Sequence, residues 1–186
     1  MTRLAATLAD IDTANGADPD HSDGAPAARL YGERMSAELD RLFPDAGDAL
    51  RIAARGQHIE RWTSPRSAYA AGKEGYLLWR RDLAAYHARR VGEIMAGHGY
   101  DAAEVAKVGA MIRKEGIKRD ADVQALEDVI CFTFLRWYFE PFASGRDPDD
   151  LLKIVQKTAR KMSDGARARA LTEFALPEPF AAAFRG

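Results

Sequence analysis

A glutamine and a histidine stand side by side at Gln57 and His58, after a stretch whose earlier apolar positions are Leu50, Ala53 and Ala54. These five residues recur at the i, i+3, i+4, i+7 and i+8 spacing of one face of an amphipathic helix. An amide or an imidazole on a buried face costs about 1–3 kcal/mol unless it finds a hydrogen-bond partner. The pattern therefore indicates either structural partners for this pair or a helix that ends in a polar pocket.

Other polar side chains fall on or beside apolar stripes of four further predicted helices. They are Tyr31 and Arg34, His87, Lys114 and Glu115, and Asp128. Imidazole and carboxylate groups from several helices are the usual ligands of a metal site inside a helical protein. We therefore predict a divalent metal (Mn, Fe, Zn or Mg) with His58, His87 and Asp128 as its ligands.

Some of these predicted metal ligands could instead have structural roles. His58 could instead form a hydrogen bond with Asp128 or Glu60, and Asp128 could pair with Arg34 or Arg113, as buried carboxylates often do. The predicted metal ligands are also far apart along the sequence. The sequence contains no His-Glu-x-x-His, no Cys-x-x-Cys and no glycine-rich phosphate loop.

Basic and aromatic residues surround a loop that is predicted over residues 63–75. Together they could grip a phosphate or stack a base. The alternative is a loop anchored by its aromatic residues and carrying solvated charges. The residues concerned are Arg61, Trp62, Arg66, Lys73, Tyr76, Trp79, Arg80 and Arg81.

The elements that must position all these residues are helices. Hydrophobic periodicity and capping residues predict helices over residues 2–14, 27–43, 46–61, 76–97, 101–115, 120–142, 148–162 and 164–174, with a Gly-, Pro- and Asp-rich loop over 15–26. No segment shows strand alternation of useful length. The predicted fold is all-α, a single irregular helical bundle over residues 1–186.

Composition excludes several classes of protein. With 186 residues, 47% apolar and 30% charged, the chain is an ordinary globular domain, and its formal net charge of −1 gives no overall signature of nucleic-acid or anionic-membrane binding. The single cysteine, Cys131, cannot form an internal disulfide, which favours a reducing compartment. No signal-peptide pattern is present. We expect a cytoplasmic protein without a membrane partner, and the oligomeric state is not predicted.

The order and spacing of these residues resemble the His-Asp ("HD") superfamily of metal-dependent phosphohydrolases. Those all-α domains carry a His-x-x-Arg helix, an Ala-Ala-x-x-His-Asp-Ile helix, later histidine helices and a closing Asp. The similar segments here are Tyr31–Arg34, Ala53–Ile59, His87–Ile94, Ile112–Glu115 and Asp128. Of the metal ligands, only His87 and Asp128 keep the superfamily's residue type.

The HD resemblance covers about residues 28–140, with an N-terminal helix and loop (1–27) and C-terminal helices (147–174) outside that core. It implies a hydrolase that acts on a small phosphorylated molecule or nucleotide through a metal-activated water. The candidate catalytic residues are Gln57, His58, Lys114 and Glu115. The candidate substrate-binding residues are Tyr31, Arg34, Arg61 and Trp62.

Two other functions stay open. The altered ligands could leave a binding module with a polar pocket and no catalysis, or the Arg61–Arg81 stretch could bind RNA, which the near-neutral net charge disfavours. Over almost its full length the chain also resembles the uncharacterised domain-of-unknown-function family 4202, which implies little about activity. The segments that carry this likeness are Asn15–Pro19, Leu30–Met35, Gln57–Trp62, Ile112–Glu115 and Leu126–Val129.

Overall fold

A computed structural model describes residues 1–185, which form ten α-helices and one short hairpin. This confirms the predicted all-α class. No helix among these residues is long and apolar enough to cross a bilayer. The elements are α1 (Arg3–Asn15), β1 (His21–Ser22), β2 (Ala25–Pro26), α2 (Ala27–Leu42), α3 (Asp48–Gly56), α4 (Gly72–Gly97), α5 (Ala102–Ile112), α6 (Ala121–Thr133), α7 (Phe139–Ala143), α8 (Pro148–Lys161), α9 (Asp164–Glu173) and α10 (Phe180–Phe184).

The chain divides into two compact units, Met1–Gly116 and Ile117–Gly186. The sequence predicted one domain with an HD-like core over about residues 28–140. The boundary between the two units, at residue 116, falls inside that range and after the end of α5.

Helix α3 is the central element of the first unit, and it packs against α1, α2, α4 and α5. Its Ile52, Ala53 and Ala54 are fully buried. Gly56 allows a close approach to α4, because a Cβ there would lie 2.5 Å from Cγ2 of Val91. The amphipathic stretch singled out in the sequence is thus the core helix of this unit.

The prediction that this helix continues to Arg61 was wrong, because α3 ends at Gly56. Gln57 and His58 lie in the turn that follows, and a 3₁₀ segment begins at Arg61. Glu60 has a left-handed backbone with φ 50°. Asn15 helps to hold that turn, because its Oδ1 accepts a hydrogen bond from the Glu60 backbone N–H at 2.9 Å.

The predicted loop over residues 15–26 is ordered by a carboxylate. Asp18 is buried, and its oxygens accept hydrogen bonds from the backbone N–H groups of Asp20 at 3.0 Å and Ala28 at 2.8 Å. The second bond satisfies a donor in the first turn of α2. Strands β1 and β2 pair antiparallel within the same loop.

The C-terminal unit is built around α6, which packs against α8, while α10 packs against α8 and α9. Its largest fully buried side chains are Leu126, Phe132, Met162 and Phe184. The helix predicted over 120–142 is interrupted by a π-helical segment at Phe134–Tyr138, between α6 and α7.

Candidate functional site

A pocket of about 320 Å³ lies in the first unit, where the turn after α3, the middle of α4 and the end of α5 meet. This volume is within the range of small-molecule sites. Five of its lining side chains are cationic and none is a carboxylate. The lining residues are Gln57, His58, Arg61, Arg80, Arg81, Leu83, Ala84, Ile112, Arg113 and Lys114.

Arg61 is a cation of this pocket with an unsatisfied hydrogen-bond donor. Its Nη1 is buried and has no hydrogen-bond partner in residues 1–185, and its guanidinium lies 5.0 Å from the ring centroid of Trp79. Burial first, and then the neighbouring Arg80, lowers the pKa of Arg61. A buried donor without an acceptor costs about 1–3 kcal/mol, and more when the group is charged. An anion in the pocket would supply the missing acceptor.

The other arginines of the pocket differ in whether a carboxylate pairs with them. Arg81 pairs with Asp82 at 3.1 Å and Arg113 pairs with Glu115 at 2.7 Å, whereas Arg80 has no carboxylate partner in the described part of the chain. Neither Asp82 nor Glu115 lines the pocket. The pocket therefore keeps a net positive charge.

Lys114 occupies a backbone position that usually belongs to glycine. It follows α5 with φ 61°, and the bonds from Glu115 N to Ala110 O and from Lys114 N to Met111 O, both 2.9 Å, form a Schellman motif. The helix predicted over 101–115 ends earlier, at Ile112, and Lys114 and Gly116 both have a left-handed backbone. A non-glycine residue in this conformation is strained by about 1 kcal/mol or more. Such strain is typical of functional sites.

Two histidines lie one behind the other at the pocket. The ring of His58, which lines it, stacks on Tyr31 with centroids 4.3 Å apart, and the ring of His87 lies 5.9 Å from that of His58. Burial, followed by the charge of Arg61, holds the pKa of His58 well below its usual value. Burial also lowers the pKa of His87 to about 4. Both imidazoles are therefore neutral near pH 7.

His87 is itself an unsatisfied buried group. Neither of its ring nitrogens has a hydrogen-bond partner in residues 1–185. The backbone of Ile59 lies close enough to oppose the fall in its pKa, but not in hydrogen-bond geometry. His87 is thus held neutral by burial first, and then by the charges of Arg61 and Arg80, which also lower its pKa.

The predicted metal ligands are divided between the two units. No group of three or more His, Cys, Asp or Glu side chains among residues 1–185 is arranged to hold a metal ion. His58 and His87 lie together in the first unit, whereas Asp128 belongs to the second unit. The residues present do not fit a three-ligand centre, and the divalent metal remains an untested prediction.

Asp128 has a structural task inside the second unit. Its Oδ1 accepts hydrogen bonds from Gln124 Nε2 at 3.0 Å and Ser163 N at 2.8 Å, and its Oδ2 accepts one from Ser163 Oγ at 2.7 Å. Ser163 in turn caps α9 by accepting from Ala166 N at 3.1 Å. The closing Asp of the HD pattern therefore supports a helix cap here.

Replacing Asp128 with alanine should lower the free energy of unfolding by about 2–4 kcal/mol, because partly buried donors on Ser163 and Gln124 would lose their charged acceptor. Urea denaturation would measure the change. Asp149→Ala removes a carboxylate from an exposed site in the first turn of α8 and serves as the control. A loss no larger for Asp128→Ala than for this control would contradict the assignment.

The remaining predicted site residues are distributed as follows. Gln57 lines the pocket with a buried Oε1 that lacks a partner in the described chain. Arg34 pairs with Asp23 in the N-terminal loop. Neither Arg34 nor Trp62 lines the pocket, and the exposed Glu115 pairs with Arg113 outside the lining. Of the predicted catalytic and substrate-binding residues, only Gln57, His58, Arg61 and Lys114 line the pocket, with Tyr31 behind His58.

Arg80 and Arg81 were predicted only as part of the basic and aromatic residues around the loop over 63–75, not as catalytic or substrate-binding residues, and Arg113 only as a possible partner of Asp128. A signal was available for Arg80, because Arg80, Leu83, Ala84 and His87 recur at the i, i+3, i+4 and i+7 spacing of one helix face. Arg113 had no comparable signal. It enters the pocket only because α5 ends at Ile112 and the chain turns there.

Comparison with known proteins assigns the chain to a family but does not indicate an activity. No curated protein matches the chain, and no solved structure matches it. The family model of a domain of unknown function, DUF4202, matches residues 5–183. That match spans almost the whole sequence, including every residue that lines the pocket. The chain belongs to the DUF4202 family.

Proposed function

We propose that this protein binds a small phosphorylated molecule in the pocket of its first unit, through cationic side chains and without catalysis. The observation that carries the proposal is Arg61, a residue that lines a pocket free of carboxylates and whose buried Nη1 has no acceptor in the described chain. A phosphate oxygen is the kind of acceptor that this donor lacks.

The pocket's other groups support a phosphate rather than a neutral ligand. Arg80 adds a second guanidinium without a carboxylate partner in residues 1–185, and Lys114 adds an ammonium group. Arginine forms paired hydrogen bonds with phosphate oxygens, and a charge interaction in a pocket of reduced dielectric is stronger than the same interaction in water. Neutral His58 can add one N–H donor without repelling the neighbouring cations.

A metal-dependent hydrolase of the HD type is the second candidate. Its support is the order of the similar segments, together with the retained His87 and Asp128. The three-ligand set that it needs is missing among residues 1–185. The binding function requires no ligand set beyond the groups that already line the pocket, and we therefore prefer it.

Calorimetric titration with ribose 5-phosphate and with ribose, both in the presence of a chelator, tests the proposal. The two ligands differ only in the phosphate group. We expect saturable one-site binding of ribose 5-phosphate and none of ribose. Absence of binding by both ligands, or binding of ribose 5-phosphate only after a divalent metal is added, would refute it.

A release assay separates binding from hydrolysis. The protein is incubated with ribose 5-phosphate, first with a chelator and then with Mn²⁺, Zn²⁺ or Fe²⁺, and free phosphate is measured. The binding proposal predicts no phosphate release above the buffer rate under any condition. Release that depends on metal and is lost in His87→Ala would favour the hydrolase instead.

Lys114 allows backbone strain and ligand binding to be separated. Lys114→Gly and Lys114→Ala remove the same ammonium group, but only glycine relieves the left-handed strain. We expect the glycine variant to be more stable than the alanine variant by about 1 kcal/mol. Both should bind ribose 5-phosphate equally weakly. Equal stability of the two variants in urea denaturation would show that no strain is stored at this position.

A further inference from the structure

The first two turns of α4 expose three consecutive large apolar side chains. Tyr76 is 47% exposed, Leu77 55% and Leu78 43%, and Met1 is the only other exposed large apolar residue among residues 1–185. Runs of exposed apolar residues are uncommon on soluble proteins and usually mark an interaction surface. These three residues are here called the apolar tip.

The apolar tip faces more than one direction. Successive side chains on an α-helix are about 100° apart, so three in a row span about 200° of the helix surface. The opposite side is packed, because Gly75 and Trp79 are buried. A flat protein surface would contact only part of such an arc. A deformable environment that surrounds the end of the helix would contact the whole arc of about 200°.

The chain around the apolar tip is strongly basic. Residues 61–82 contain five Lys or Arg and two acidic residues, Glu74 and Asp82, which gives a local charge of +3. Asp82 pairs with Arg81. The whole chain carries −1, so the other residues together carry −4. This concentration of positive charge next to the tip favours an anionic partner.

An anionic lipid surface fits both features better than RNA does. RNA binding by exposed side chains relies on aromatic rings that stack on bases. Leu77 and Leu78 offer no stacking surface, and only a hydrocarbon-like environment would take them out of water. Tyr76 suits the boundary layer between headgroups and acyl chains. Lys73, one turn before Leu77, and Arg81, one turn after it, would lie near the headgroup phosphates.

We infer that the apolar tip docks this protein peripherally on anionic lipid bilayers, with Leu77 and Leu78 inserted and Lys73 and Arg81 at the headgroups. The inference does not depend on the proposed function, because Lys73 and both leucines lie outside the pocket lining, which Arg81 joins. It departs from the sequence analysis, which expected no membrane partner from the net charge. The net charge of the whole chain does not show the local excess of basic residues around the apolar tip.

Co-sedimentation of the full chain with lipid vesicles tests the inference. One set of vesicles is pure phosphatidylcholine, and the other contains ~30% phosphatidylserine. We expect binding to the second set only, weakening as salt is raised. A double variant, Leu77→Ser with Leu78→Ser, should reduce the partition coefficient by at least about tenfold. Because both leucines are exposed, its circular dichroism and binding of ribose 5-phosphate should stay as in the wild type.

A lysine substitution with a matched control tests how much charge contributes to vesicle binding. Lys73→Gln should weaken vesicle binding by about fivefold, since one basic residue near an anionic surface contributes about that much. Lys157→Gln removes the same charge from an exposed position on α8 and should change nothing. Equal vesicle binding by the wild type and the double leucine variant would overturn the inference. So would binding to a single-stranded RNA oligonucleotide without binding to either set of vesicles.

Discussion

Replacing Arg61 with methionine should raise the free energy of unfolding by about 1–3 kcal/mol in phosphate-free buffer, although it removes a side chain from the pocket. In the wild type this guanidinium is partly buried, lies near Arg80 and has a buried Nη1 without an acceptor in the described chain. Methionine keeps an unbranched chain against Trp79 and removes the buried charge. Urea denaturation of both proteins would measure the difference.

The same variant should lose ligand binding. Truncating one partner of a buried charge pair typically weakens binding by about 2–5 kcal/mol, which is at least about 30-fold in the dissociation constant for ribose 5-phosphate. Arg89→Met is the matched control, because Arg89 is an exposed residue of α4 that pairs with Glu93 outside the pocket. A variant at Arg61 that is less stable than the wild type and still binds the ligand would contradict both the assigned strain and the assigned contact.

Lowering the pH from 6.5 to 4 should remove about 3 kcal/mol of stability through His87 alone. Its pKa falls from the ordinary value of 6.5 to about 4 in the folded protein because the ring is buried. Within this window the unfolded chain binds a proton at His87 and the folded protein does not. Stability is therefore fully present above pH 6.5 and is lost as the pH falls towards 4. His58, whose pKa is also lowered by burial, acts in the same direction.

Urea denaturation at a series of pH values would measure the dependence on His87. His87→Leu keeps an apolar group of similar size in the core and cannot be protonated, so its stability should change less between pH 6.5 and 4. His21→Gln, at an exposed site, should follow the wild type. The titrating carboxylates are common to all three proteins and cancel in the comparison. Parallel curves for the wild type and His87→Leu would contradict a neutral buried His87.

Local sequence signals predicted most of the helices, but not α10 or the π-helical segment after α6. Apolar periodicity located the helical segments, and Asp101 with Glu104 forms the capping box at the start of α5. Helix ends were less predictable. The end of α3 at Gly56 accompanies close packing against Val91, and the end of α5 at Ile112 accompanies a Schellman motif formed by Lys114. Neither feature has a strong local pattern.

The candidate site was predicted in part. Gln57, His58, Arg61 and Lys114 were selected because they are polar or basic residues next to apolar stripes, and they do line one pocket. The metal set stays a prediction, because His58 and His87 belong to the first unit and Asp128 to the second. Asp128 satisfied the HD pattern by type and order, but it hydrogen-bonds Ser163 and Gln124 inside the second unit.

The most direct measurement of phosphate binding at Arg61 is a side-chain ¹H–¹⁵N NMR titration with ribose 5-phosphate in the presence of a chelator. The signals of Arg61, assigned by their loss in Arg61→Met, should shift saturably and with the same dissociation constant as the calorimetric titration. Signals of Arg89 should stay in place. Saturable binding that leaves the Arg61 signals unchanged, or the absence of binding until a metal ion is added, would contradict a phosphate site centred on Arg61.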